Sequence, residues 1–136
     1  MADMNDVQAA VRNLLVADAA LTLHVPAARI VDGYTMTEVA FPRIGLRDGG
    51  RPERRVDQGT AFAFDAAVLL QIEAKAAGRV REIAGLIIDA LDTQAIEPAG
   101  FRRSMLTISD RDPIQRYDDT DIFVKFLSAQ VSLQPV

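Results

Sequence analysis

The side chains able to do chemistry are few, and their spacing does not suit it. The chain has no cysteine, which excludes disulfides, thiolate metal sites and a cysteine nucleophile and fits folding in a reducing compartment. Its one histidine, His24, sits between Leu23 and Val25. No second His, Cys or Glu stands at ligand spacing, so His24 reads as a packed or capping side chain rather than a metal ligand. A Ser-His-Asp triad would have to recruit Ser104, Ser109, Ser128 or Ser132, and none stands in a G-x-S-x-G setting. Asp110, Asp112, Asp118, Asp119 and Asp121 occupy positions 1, 3, 9, 10 and 12 of a twelve-residue window, the length of a calcium loop. However, Ile114 holds the fifth position, Gln115 stands where that loop needs glycine, and Pro113 interrupts it. The cluster reads as a solvated turn with Arg111 and Arg116 as counter-charges. We therefore expect no catalytic residue, no metal site and no cofactor, and a protein that is not an enzyme.

The segment "RDGGRPERRVDQG", residues 47–59, is the strongest remaining candidate. Its glycines do not form a phosphate loop, because no G-x-x-x-x-G-K-[ST] is present. Nor is it a nucleic-acid grip: Arg47, Arg51, Arg54 and Arg55 are offset by Asp48, Glu53 and Asp57, which leaves +1, and no aromatic is interleaved for stacking. Between two apolar runs it reads as a long mobile loop, and arginine there suits contact with another protein.

The elements that position these residues follow from periodicity. Asn5 with Gln8 forms a capping-box pattern ahead of Val7, Val11, Leu14 and Leu15 at helical spacing. Asp18 caps a short turn, "AALTLHV", that Pro26 stops. Residues 27–38 read as irregular, with a turn at Asp32-Gly33. "VAFPRIGLR" reads as a strand, at a sheet edge or beginning only after Pro42. Phe62, Phe64, Ala66, Val68, Leu70 and Ile72 alternate without a break, the mark of a half-buried strand. From residue 77 the period becomes helical, with Val80, Ile83, Leu86, Ile87, Ala90 and Leu91 on one stripe; Gly85 within it implies close packing against the sheet. "FRRSMLTIS" and "TDIFVKFLSAQVSL" read as two further strands joined by the acidic turn.

The order helix-strand-strand-helix-strand-strand predicts an α+β fold: a four-stranded antiparallel sheet with two helices packed on one face. At 136 residues the chain is expected to be a single domain, 1–136. Its 49% hydrophobic and 25% charged content is that of a globular protein. The longest apolar run spans five residues, 66–70, so no membrane partner is expected. A formal charge of −4 argues against bulk attraction to nucleic acid, and the excess of arginine, thirteen against two lysines, favours planar protein contacts. In the last strand Ile122, Phe123, Val124, Phe126 and Leu127 are apolar on both faces. A sheet with helices on one side needs only one apolar face, so Ile122, Val124 and Phe126 are candidates for contact with another subunit.

"LLVADAALTLHV", "AAVLLQIEAKAAGRVREIAGLIIDAL" and "ISDRDPIQRYDDTDIFVKFLSAQVSL" together resemble the tail terminator (tail completion, tail-to-head joining) proteins of long-tailed phages and gene transfer agents. The resemblance spans nearly the whole chain as a pattern. It implies a structural virion protein, assembled in the host cytoplasm and residing in the tail. Its subunits form a hexameric ring that caps the tail tube, stops polymerisation and meets the head-tail connector. The partners implied are further copies of the chain, the tail tube protein and the connector, with DNA passing through the lumen unbound. By position, residues 47–59 are similar to the family's long loop between the first two strands. A neighbouring neck or connector protein of similar fold is the alternative within this class. A small oligomeric α+β module that binds a ligand is the alternative outside it.

Overall fold

The structure, a computed structural model, describes residues 4–49, 53–57, 60–110 and 112–136. Helix α1 spans Met4–Ala17 and buries Val7, Val11 and Leu15, the three apolar positions that share its inner face. Asn5 lies inside this helix rather than at its cap. Asp18 is a cap as its position predicts: its side chain accepts from the Leu21 N–H (2.9 Å) and starts helix α2, Ala19–His24. The stretch expected to be irregular contains strand β1, Ile30–Asp32, between two single turns of 3-10 helix. Arg12 ties α1 to it, donating from Nε to the Ile30 carbonyl (2.8 Å).

Strand β2, Arg43–Asp48, begins directly after the cis Phe41–Pro42 bond, one of the two alternatives the proline allowed. Strand β3 covers Glu53–Asp57 and β4 covers Thr60–Ala74. Helix α3 spans Ala77–Leu91 and buries Val80, Ile83, Ala84, Ile87, Ala90 and Leu91. Short strands β5 (Ala95–Ile96), β6 (Ser104–Met105), β7 (Thr107–Ser109) and β8 (Gln115–Arg116) precede the long strand β9, Phe123–Leu133.

Among the described residues, seven strands form one sheet along the path β1-β2-β4-β9-β7, with β3 added on β4 and β8 on β9; β5 and β6 pair separately. The α+β class stands, but the expected four-stranded antiparallel sheet with two helices is corrected in three respects. First, β1 runs parallel to β2, which makes the sheet mixed. Second, three α-helices are present among the described residues, with α1 and α3 on the sheet and α2 against both of them. Third, "FRRSMLTIS" is not one strand. The Leu106 N–H donates to the Gln94 carbonyl (2.7 Å) and its own carbonyl accepts from Thr93, so the segment leaves one sheet and enters the other at that residue.

The expected loop over 47–59 is corrected at residues 47–48 and 53–57, which are strand; residues 50–52, 58 and 59 lie outside the described residues. Arg47 and Asp48 end β2, and Glu53–Asp57 pairs antiparallel with residues 60–65 of β4. The physical reason lies in length. Strand β4 is longer than β2, which covers only residues 68–73, so the rest of that edge is open to pairing, and backbone groups alone satisfy it. Arg55 faces Ala63 while Val56 faces Ala61, which leaves Phe62 without an opposite residue, a β-bulge. Strand β9 ends opposite Phe64, so residues 60–63 and β3 run on as a two-stranded ribbon.

The core lies between the helices and one face of the sheet. Ile44 and Leu46 of β2, Ala66, Val68, Leu70 and Ile72 of β4, and Leu127, Ala129, Val131 and Leu133 of β9 meet Val11, Leu15, Leu21, Ile83, Ile87 and Leu91. Period-two alternation in the strands and 3.6-residue periodicity in the helices place these residues together.

Candidate functional site

The face of the sheet turned away from the helices holds the most structured polar arrangement. Register places Arg43, Glu73 and Val124 in one row and Gly45, Gln71 and Phe126 in the next. Arg43 and Glu73 form a buried pair, with Nε and Nη2 reaching the same carboxylate oxygen at 2.7 and 2.6 Å and side-chain exposures of 9% and 4%. Arg43 Nη1 donates to the Val39 carbonyl (2.9 Å), and its guanidinium stacks 4.1 Å from the centroid of the Phe41 ring. The second oxygen of Glu73 accepts from the Tyr117 hydroxyl (2.7 Å) and from Gln71 Nε2 (2.9 Å). Gln71 in turn accepts from Arg47 Nη2 (2.7 Å). Every partner a buried ion pair requires is present, as its desolvation demands.

Tyr117 is held above its ordinary value, pushed up to about 12, first by burial and then by its hydrogen bond to the Glu73 carboxylate. Such a group stays protonated at neutral pH and serves as a hydrogen-bond donor to Glu73.

Segments on either side cover part of this face. A Cβ on Gly45 would stand 2.6 Å from Met36 Sδ, and one on Gly33 would stand 2.3 Å from Arg47 Cγ. Glycine at these two positions lets Met36 and the Gly33 backbone approach β2 closely. Leu69 and Phe126 further along remain half-buried.

The residues singled out in the sequence are distributed as follows. Arg47 stands in β2, not in a loop, and is engaged by Gln71. Arg51 lies outside the described residues. Arg54 and Arg55 stand in β3, opposite Phe64 and Ala63. Val124 and Phe126 share the outer face, but Val124 is 1% exposed within the single chain, while Phe126 is half-buried. Ile122 is half-buried just before β9. His24 ends α2 and bridges to α3: its Nδ1 lies 2.7 Å from Arg79 Nη1 and its Nε2 lies 3.4 Å from Glu82. The acidic turn uses lysines as partners, with Asp110 on Lys125 (2.6 Å) and Asp121 on Lys75 (3.0 Å). Lys75 holds the Asp121 carboxyl below the usual carboxylate range. Among the described residues no acidic or histidine cluster is arranged to hold a metal ion.

Sequence reasoning missed Arg43, Glu73 and Tyr117. Arg43 and Glu73 flank apolar strands, and only the β2–β4 register brings them opposite one another. Gly85 is a further correction. It is exposed, and a Cβ there would meet nothing within 4 Å, so it does not mark close packing on the sheet. It borders a cleft of about 600 Å³ lined by Arg81, Ala84, Gly85, Ile88, Asp110, Ile114 and Lys125.

A protein-family profile described as "Tail completion protein gp17" matches residues 9–130. A solved chain from the virion of a native gene transfer agent (GTA) particle has the same fold. It aligns with a TM-score of 0.75 at 20% identity, over 94% of this chain and 94% of that one. No curated protein matches the chain.

Proposed function

The chain belongs to the tail completion protein gp17 family, and from that premise we propose that it is a tail terminator: a ring of copies that caps the finished tail tube, halts its polymerisation and joins it to the head. Membership makes it a structural tail component of the virion, a class that is not enzymatic. The match over residues 9–130 carries the reading.

The ring is expected to be hexameric, with heterologous contacts that close on themselves and cover strand edges. We place the subunit contact on the outer sheet face around Phe126 and Ile122, beside the buried Val124, where half-buried apolar residues remain after the 33–41 segment has covered its share. Arg54 and Arg55 of β3, with Arg51, are assigned to contact with the tail tube protein, and Arg47 braces the base of that ribbon through Gln71. The connector meets the other side of the ring, and DNA passes through the lumen without specific binding, in keeping with a net charge of −4.

The test is sedimentation and negative-stain electron microscopy of the purified chain over a range of concentrations, with and without tail tube protein. Rings and capped tubes are expected. An Arg54→Glu/Arg55→Glu double variant is expected to keep its fold and lose at least tenfold in tube affinity, as for removal of interfacial arginines. A chain that stays monomeric at every concentration and leaves tubes uncapped overturns the proposal.

A further inference from the structure

Residues 112–121 cross the end of the sheet between β7 and β9 and are almost wholly exposed; only Ile114 is partly buried against the core. They are held by side chains that project from the sheet. Lys125 Nζ, 8% exposed as a residue, donates to the Asp112 carbonyl (2.6 Å) and pairs with Asp110 (2.6 Å) just before the segment. The Tyr117 hydroxyl donates to Glu73 (2.7 Å) and accepts from Gln71 (3.0 Å). Lys75 reaches Asp121 (3.0 Å). The one strand in the segment, β8, pairs two residues with Val124 and Phe123.

Inside itself the segment is well closed. The Tyr117 N–H donates to the Ile122 carbonyl (3.0 Å), Thr120 Oγ1 donates to the Tyr117 carbonyl (2.8 Å) and accepts from the Ile122 N–H (3.2 Å), and Asp119 takes the left-handed conformation. Two of these bonds close the turn on Ile122, the residue just before β9, where the segment joins the sheet. Beneath it runs the edge of β9 opposite β4. Among the described residues, β7 covers residues 128–130 of that edge, β8 covers 123–124, and no strand covers 125–127. Lys125 borders the cleft of about 600 Å³ beside α3, so its ammonium can be hydrated when its partners move away.

We propose that residues 112–121 are a polar strap that unlatches from the sheet as one unit while the β4–β9 ladder stays paired, freeing the β9 edge at residues 123–124 so that it runs on into residues 125–127, which no described strand covers. Local opening is governed by the apolar area and hydrogen bonds lost. Here a few polar latches and one partly buried isoleucine stand against the long β4–β9 pairing and the whole core. An uncovered strand edge is a template for pairing with another chain, so strap position decides whether that edge is available.

Hydrogen exchange of the 136-residue chain tests this. Amides of residues 114–122 are expected to exchange faster than those of residues 66–72, and Tyr117→Phe is expected to raise the former about tenfold, the effect of losing one hydrogen bond to a carboxylate, with the latter unchanged. Replacing the paired Arg116 and Phe123 by cysteine, in a chain with no other cysteine, gives a lock. Oxidation is expected to slow exchange in the strap and reduction to restore it; where the lock does not close, the Tyr117→Phe comparison decides. Wild-type strap amides as slow as residues 66–72 overturn the proposal. So does a Tyr117→Phe variant that accelerates both regions equally, or a closed lock that leaves exchange unchanged.

Discussion

Glu73 organises the outer face of the sheet. It sits almost fully buried, and its carboxylate joins Arg43 of β2, Gln71 of its own strand and Tyr117 of the strap. Removing one member of such a pair leaves an uncompensated buried charge, whereas replacing both with apolar groups of similar volume does not. Arg43→Met is therefore expected to cost about 3 kcal/mol, and Arg43→Met with Glu73→Leu to recover most of it, read from urea denaturation midpoints at constant slope. Tyr117 adds a pH dependence. The folded chain keeps the phenolic proton up to about 12, against 10.0 ordinarily, so the stabilisation is complete below about pH 10 and is lost as pH rises through about 12. Stability should fall over that window in the wild type, and Tyr117→Phe should flatten the fall. None of these three residues carries a sequence signature, because their meaning depends on which positions face one another across strands.

The elements divide by how local their causes are. Helix α3 and its buried stripe, the Asp18 cap of α2 and the alternation in β4 could all be read from neighbouring residues. Strand β3 could not. "ERRVD" has the composition of a loop and becomes a strand only because β4 offers it an open edge. "FRRSMLTIS" likewise breaks at Leu106 because residues after α3 compete for its backbone groups. Gly85 was misread for a similar reason: helical spacing shows that it lies near a buried stripe, but not that its own side faces open space. Gly85→Ala is thus expected to stabilise the isolated chain by up to about 1 kcal/mol, raising its thermal midpoint, the usual alanine-over-glycine gain in a helix interior. A lowered midpoint would place another atom against that position.

At the scale of the whole molecule, the helices close one face of the sheet and leave the other closed only in part. The 33–41 segment and Tyr117 cover the Arg43–Glu73 end, while Leu69 and Phe126 stay half-buried. On the ring proposed above, Phe126→Asp is expected to keep the circular dichroism of the native chain and abolish self-association in sedimentation, since a carboxylate at the proposed contact between copies would be left unpaired. Unchanged self-association would move the contact elsewhere. The sequence by itself determined the α+β class, the inner faces of β4 and α3 and the resemblance to tail completion proteins, because each rests on periodicity or on pattern along the chain. Only the tertiary structure decided that residues 53–57 are a strand, that the sheet is mixed and wider than four strands, and that a buried ion pair holds its outer face. Those features depend on register and on which edges remain unpaired, and both are set by contacts between residues far apart in the chain.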